Sequence, residues 1–228
     1  MPSFLEKIVG PRIPAEERSR HRLRYLIPAL PLLIAIVLIA ISLFIPYWNL
    51  RLNAPQYPDG LTITSYINHL TGDVNEIDGL NHYIGMRPLD EAAQFEKSIA
   101  IAAMIGMMIC LAVAIFIRSR WAILLALPTI AFPFVFLADL YYWMNKFGQN
   151  LDPTAPLSGA IKPFTPPILG RGLVGQFETI AWAGEGLILA FVASFLLMFW
   201  VLLRHWAYKP LRQLAKANRQ ATAAVSHA

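Results

Sequence analysis

The chain has one cysteine, Cys110, among 228 residues. That excludes an intramolecular disulfide and any cysteine-based zinc site. Charge is also scarce: Asp, Glu, Lys and Arg make up 14%, where a soluble domain carries about a quarter. There is no glycine-rich phosphate loop, no Gly-x-Ser-x-Gly elbow and no His-Glu-x-x-His pair. Their absence removes the common signatures of nucleotide binding, serine hydrolysis and zinc proteolysis. No two histidines face each other across apolar segments, so a haem held between helices by two histidines has no support. No internal repeat is visible, so there is no sign of the inverted symmetry of many transporters.

Apolar residues are abundant, at 57% of the chain. They gather in four stretches, 25–48, 98–117, 121–143 and 177–203. Each approaches or exceeds the ~20 residues that a helix needs to cross about 30 Å of hydrocarbon. Arg12, Arg18, Arg20, Arg22 and Arg24 precede the first stretch. Arg118 and Arg120 join the second to the third, and Arg204, Lys209, Arg212, Lys216 and Arg219 follow the fourth. Four crossings bring these groups to one face, which the positive-inside rule makes cytoplasmic. The net charge of +5 therefore reads as a topology signal with some anionic-lipid contact, and nucleic acid is not an expected partner.

The expected fold class is an all-α membrane protein: four transmembrane helices with a small mixed extracytoplasmic cap formed by two loops. The expected layout is a basic arm (1–24), span one (25–48), an outer segment (49–97), span two (98–117), a turn (118–120), span three (121–143), a Pro/Gly-rich outer loop (144–176), span four (177–203) and a basic tail (204–228). The setting is a bacterial inner membrane with both termini cytoplasmic. Span one is not read as a cleaved signal peptide. Some two dozen residues precede it, and Ile45-Pro46-Tyr47-Trp48 reads as an interfacial aromatic belt.

Finer features follow from local chemistry. Glu16-Glu17-Arg18 opens a short surface helix. Pro55–Gly60 is a turn cluster, and Leu61–Ile67 alternates apolar and polar residues like a strand. Asp73 is placed to cap a short helix with Ile77, Leu80 and Ile84 on one side. Asp90 is placed to cap a helix running through Phe95 into span two. Pro128 and Pro133 should kink span three, and the carbonyls they free need partners in the bundle.

Three groups could carry chemistry. The first is the acids Asp139, Glu178 and Glu185. Glu178 and Glu185 are seven apart, hence on one face if span four is helical there, with Glu185 about 10 Å deep by helical rise. Acids at such depth are functional candidates; the alternative is a structural hydrogen bond within the bundle or to another subunit. Gly184 and Gly186 permit close helix approach. The second is Met104 and Met107 in span two, as copper ligands or as packing. The third is His82 and Met86, four apart and so able to face one ion on a helix, with His69 or an acid such as Asp73, Glu76 or Asp78 completing the set. The alternative is that His82 hydrogen-bonds the backbone and fixes its loop.

Two outer stretches are familiar together: Leu52–Pro58 leading to Leu80-Asn81-His82-Tyr83-Ile84-Gly85-Met86, and Lys162-Pro163-Phe164-Thr165-Pro166-Pro167-Ile168-Leu169-Gly170. They resemble a family of small polytopic bacterial membrane proteins found near nitrous-oxide-reductase and copper-handling genes. The resemblance covers about half the chain and implies association with respiratory copper systems. It also implies that the Asn-His-Tyr-Ile-Gly-Met stretch matters beyond its spacing.

Two functions are therefore expected. One is a non-enzymatic accessory or copper-handling protein of a respiratory membrane system. The other is a structural subunit of a larger membrane redox or energy-transducing complex, docking through helices and outer loops. The lipid bilayer and other membrane subunits are the expected partners, and copper the expected cofactor. An enzyme or proton-coupled transporter using Asp139, Glu178 and Glu185 is a weaker third class.

Overall fold

The structure is a computed structural model that describes residues 9–10, 22–157, 159–174 and 177–226. The expected arm with Arg12, Arg18 and Arg20, the short helix at Glu16-Glu17-Arg18, and His21 and His227 lie outside the described residues. In chain order the elements are α1 (Arg22–Leu26), α2 (Ala29–Ser42), β1 (Trp48–Ala54), β2 (Tyr57–Ser65), β3 (Leu70–Gly72), α3 (Val74–Ile84), a 3₁₀ turn (Leu89–Glu91), α4 (Gln94–Phe116), α5 (Trp121–Gln149), β4 (Gly170–Val174), β5 (Phe177–Ala183) and α6 (Glu185–Ser226).

Four helical segments are long and apolar enough to cross a membrane: Arg22–Ser42, Gln94–Phe116, Trp121–Gln149 and Glu185–Leu211. The expectation of four such helices holds, but the all-α class does not, because the chain also builds a five-stranded antiparallel sheet. The strand order is β3-β2-β1-β5-β4. Strands β1 to β3 come from the stretch between α2 and α3, and β4 and β5 from the stretch leading into α6.

The largest correction is at Phe177–Ala183. This stretch was expected as the outer end of span four, yet it is strand β5, paired with β1 from Trp48↔Ala183 to Asn53↔Glu178. Its alternation explains why: Phe177, Thr179 and Ala181 are buried while Glu178, Ile180 and Trp182 are less so. Strand β1 alternates in the same way, burying Trp48, Leu50, Leu52 and Ala54. Trp48 is therefore an inward strand residue and not the end of a span. The turn cluster narrows to Pro55-Gln56, since Tyr57–Gly60 already belongs to β2.

Contacts divide the chain into two compact units: Met1–Leu38, Gly106–Ala131 and Val192–Ala228, and Ile39–Ile105 with Phe132–Phe191. In the first unit, Ala35, Ala122, Ala126 and Ala193 are wholly buried. Such small residues let helix backbones approach closely where lipid offers no hydrophobic drive. The Ser194 hydroxyl donates to the Ile130 carbonyl at 2.7 Å, one residue beyond the Thr129 carbonyl whose helical partner Pro133 cannot supply. Arg204 is buried at 1% exposure. Its guanidinium donates to the carbonyls of Ile117 and Ser119 and lies over the rings of Trp200 and Tyr208. It thus supplies a positive charge where α4 ends and carbonyls lack helical donors.

The second unit has one core. The inner face of the sheet packs with Ile77 and Ile84 of α3, Met86 and Leu89 of the following turn, and Met144 and Phe147 of α5. Phe164 and Ile168 of the Pro-rich loop close over it, and the Trp48 indole donates to the Ile168 carbonyl at 2.6 Å. Neither outer segment alone is long enough to bury such a core.

Candidate functional site

Helix α3 is built as its periodicity predicts, with Ile77 and Ile84 buried and Leu80 partly so. Its start differs. Asp73 makes no side-chain cap; its carboxylate accepts from the Thr62 N–H at 2.8 Å and the Thr62 hydroxyl at 3.3 Å. Its end is a Schellman turn. Gly85 takes φ 79°, the Met86 N–H donates to the Asn81 carbonyl, and the Gly85 N–H to that of His82. Those bonds satisfy carbonyls that a helix end leaves open.

That turn separates the proposed His82/Met86 pair. The helix stops at Ile84, so Met86 is not one turn beyond His82 on a continuing helix. His82 is exposed, whereas Met86 is buried in the sheet core. His69 sits in the β2–β3 turn, stacked on Tyr66 with ring centroids 4.6 Å apart, and its Nδ1 lies 2.8 Å from Asn68 Oδ1. Met104 and Met107 are both buried on α4. Among the described residues, no three His, Cys, Asp or Glu side chains stand close enough to hold a metal ion.

The acids also separate. Glu178 is on β5, where it accepts from the Asn53 side-chain amide at 3.0 Å and has the Arg171 guanidinium 4.0 Å away. Glu185 is the first residue of α6 and exposed, so it is not about 10 Å deep. The positive end of the helix dipole favours a carboxylate there. The two acids do not share a helix face. The glycines flanking Glu185 serve the backbone instead. Gly184 N–H donates to the Tyr47 carbonyl and Gly186 N–H to that of Pro46. A Cβ on Gly184 would overlap the Pro46 carbonyl.

Asp139, by contrast, lines a cavity of about 280 Å³ within the second unit. Glu96 is near enough for the two carboxylates to repel, and the Trp143 side chain lies beside Asp139 one turn on. Lys97, Glu96 and His69 share the lining. Lys97 reaches Asp90, 3.1 Å from Oδ1 and 2.7 Å from the carbonyl. Asp90 therefore does not cap a continuous helix. The chain breaks at Ala93, with φ 52°, and Asp90 anchors the lysine across the break. The sequence singled out Asp139 but missed Glu96. Helical rise alone does not give the pairing: Glu96 is the third residue of α4 whereas Asp139 lies ten residues before the end of α5, about 3 Å against about 15 Å from the helix ends. Only the fold brings the two acids to one cavity.

The outer face of the sheet is polar over β1, with Asn49, Arg51 and Asn53, and mixed over β4, where Arg171 and Leu173 are both exposed. Leu173 is 78% exposed, and Leu169 and Trp182 are also exposed. β4 ends the sheet. No protein-family model matches the chain, and no curated protein matches it.

Proposed function

We propose that the chain is a non-enzymatic accessory subunit of a membrane complex, with its helices spanning a bacterial inner membrane, both termini cytoplasmic, and the sheet unit forming an outer cap on a helical bundle that docks a partner. The observation that carries this is the terminal strand β4 with its exposed Leu173. Among the described residues β4 has no partner strand on its far side, so its edge is open to pairing, although the strand is short and carries the exposed Arg171 close to Leu173. The sheet itself supports a docking role over catalysis. Two of its polar contacts use acids structurally: Asn53–Glu178 joins β1 to β5, and Asp73, just after β3, accepts from Thr62 of β2.

Copper handling is the second reading. It rests on Met104 and Met107, two soft ligands buried on one helix, because His82 and Met86 face different surroundings. The resemblance to proteins near copper-handling genes supports a respiratory setting for either reading.

One preparation tests both. The protein is purified from native membranes in mild detergent, alone and as Leu173→Lys, and its size and metal content are measured. A larger native assembly that Leu173→Lys dissociates supports docking through β4. A monomer in both preparations overturns docking, and copper below stoichiometry overturns the metal reading.

A further inference from the structure

The 280 Å³ cavity has the form of an amphiphile site. Its size is close to the ~300 Å³ lower bound of small-molecule pockets. One wall is a face of α4 made small by Ala100 and Ala103, with Ala93 just ahead of the helix. The opposite wall is a face of α5 carrying Phe132, Phe136 and Trp143, spaced at four and seven as one helix face requires. Small against large leaves a trough. It runs from Glu96 to Ala103 on one side and from Asp139 to Phe132 on the other, seven residues each, or about 10 Å by helical rise.

The two ends differ in chemistry. The deep end is apolar, and its flanks Ile99 and Val135 are exposed. On helices long enough to cross a membrane, such flanks open sideways toward acyl chains. The shallow end carries Glu96, Asp139, Lys97 and His69 under a roof of Trp48 and Tyr66. Lys97 is committed to Asp90. Among the described residues, neither Glu96 nor Asp139 has an ion pair of its own. Two carboxylates at the mouth of an apolar trough are complementary to a head that is cationic and donates hydrogen bonds, joined to an aliphatic tail. Glu96 is exposed and Asp139 already has the Trp143 side chain as a donor beside it, so the selection is by charge: an anionic occupant would meet two like charges, and an apolar one would leave them unmatched.

We infer that the trough between α4 and α5 holds one phospholipid whose head carries a primary ammonium, with the ammonium between Glu96 and Asp139 and one chain along Ala100 and Ala103. A trimethylated head keeps the charge but loses the N–H donors, so it is the discriminating control. The reading is independent of whether β4 docks a partner.

The test is native mass spectrometry of the full chain. It is purified in mild detergent, stripped of lipid, then offered phosphatidylethanolamine or phosphatidylcholine with identical chains. The expected result is one bound phosphatidylethanolamine, retained about 10-fold better than phosphatidylcholine. Glu96→Gln with Asp139→Asn should erase that preference while leaving helical content unchanged, and Ala100→Trp should remove both lipids. Equal retention of the two lipids by the native chain overturns the head assignment. Retention unchanged in Ala100→Trp overturns the site, as does co-purification of a different amphiphile that Ala100→Trp displaces.

Discussion

Asp78 shows how one side chain ties two segments together. It lies on α3, and its Oδ1 accepts from the Leu89 N–H at 2.7 Å, holding the 3₁₀ turn against the helix. Burial pushes its carboxyl above the ordinary carboxylate value, against the Leu89 N–H and Asn81, which favour the charged form. A folded-state value above the unfolded one means that this contribution is full below about pH 3.9 and is lost as pH rises through the folded value. Asp78→Asn keeps an acceptor for Leu89 and removes the ionisation. Its melting temperature in detergent should equal or exceed the native one at pH 7, and the gap should close toward pH 4. Asp78→Ala strands a partly buried N–H and should cost about 1–3 kcal/mol. A loss in Asp78→Asn as large as in Asp78→Ala would contradict this account. The periodicity of α3 was legible from Ile77, Leu80 and Ile84. The fate of Asp73 and Asp78 was not, because a cap and a cross-strand acceptor use the same short acid, and only tertiary placement chooses between them.

At the scale of elements, the spans were the legible part. Lipid forces a long apolar helix wherever a chain crosses, so hydropathy alone carries the message. The sheet was half legible. β2 alternates plainly, and so does β1, but an interfacial reading of Trp48 absorbed the start of β1. Phe177–Ala183 was lost because it runs without a polar break into a true apolar helix, and its partner β1 lies more than a hundred residues away. Arg204 was readable as charge but not as a buried group. Its guanidinium takes the Ile117 and Ser119 carbonyls at the end of α4. Arg204→Leu should therefore lower stability by about 1.5–3 kcal/mol, the range for hydrogen bonds to charged groups, and Arg204→Lys by less. Thermal unfolding in detergent measures both, and an unchanged midpoint in Arg204→Leu would remove the helix-end role.

For the whole molecule, the pairing of β1 with β5 requires the two non-helical segments to lie on one side of the membrane. With Cys110 replaced by Ala, single cysteines at Asn68 and Thr154 should both react with an impermeant maleimide in cells with an opened outer envelope. One at Arg120 should react only after the inner membrane is broken. Labelling of Asn68→Cys and Thr154→Cys from opposite sides is incompatible with the sheet.

The order of the strands has a consequence for biogenesis. β1 lies at the centre of the sheet, but its neighbour β5 is made 129 residues later, counting from Ala54 to Ala183. At ribosomal speeds of about 5–20 residues per second, one flank of β1 waits roughly 6–26 seconds for its mate. A nascent chain halted before Phe177 presents that open ladder to proteases and to other chains, so quality control has a window in which to recognise unfinished copies.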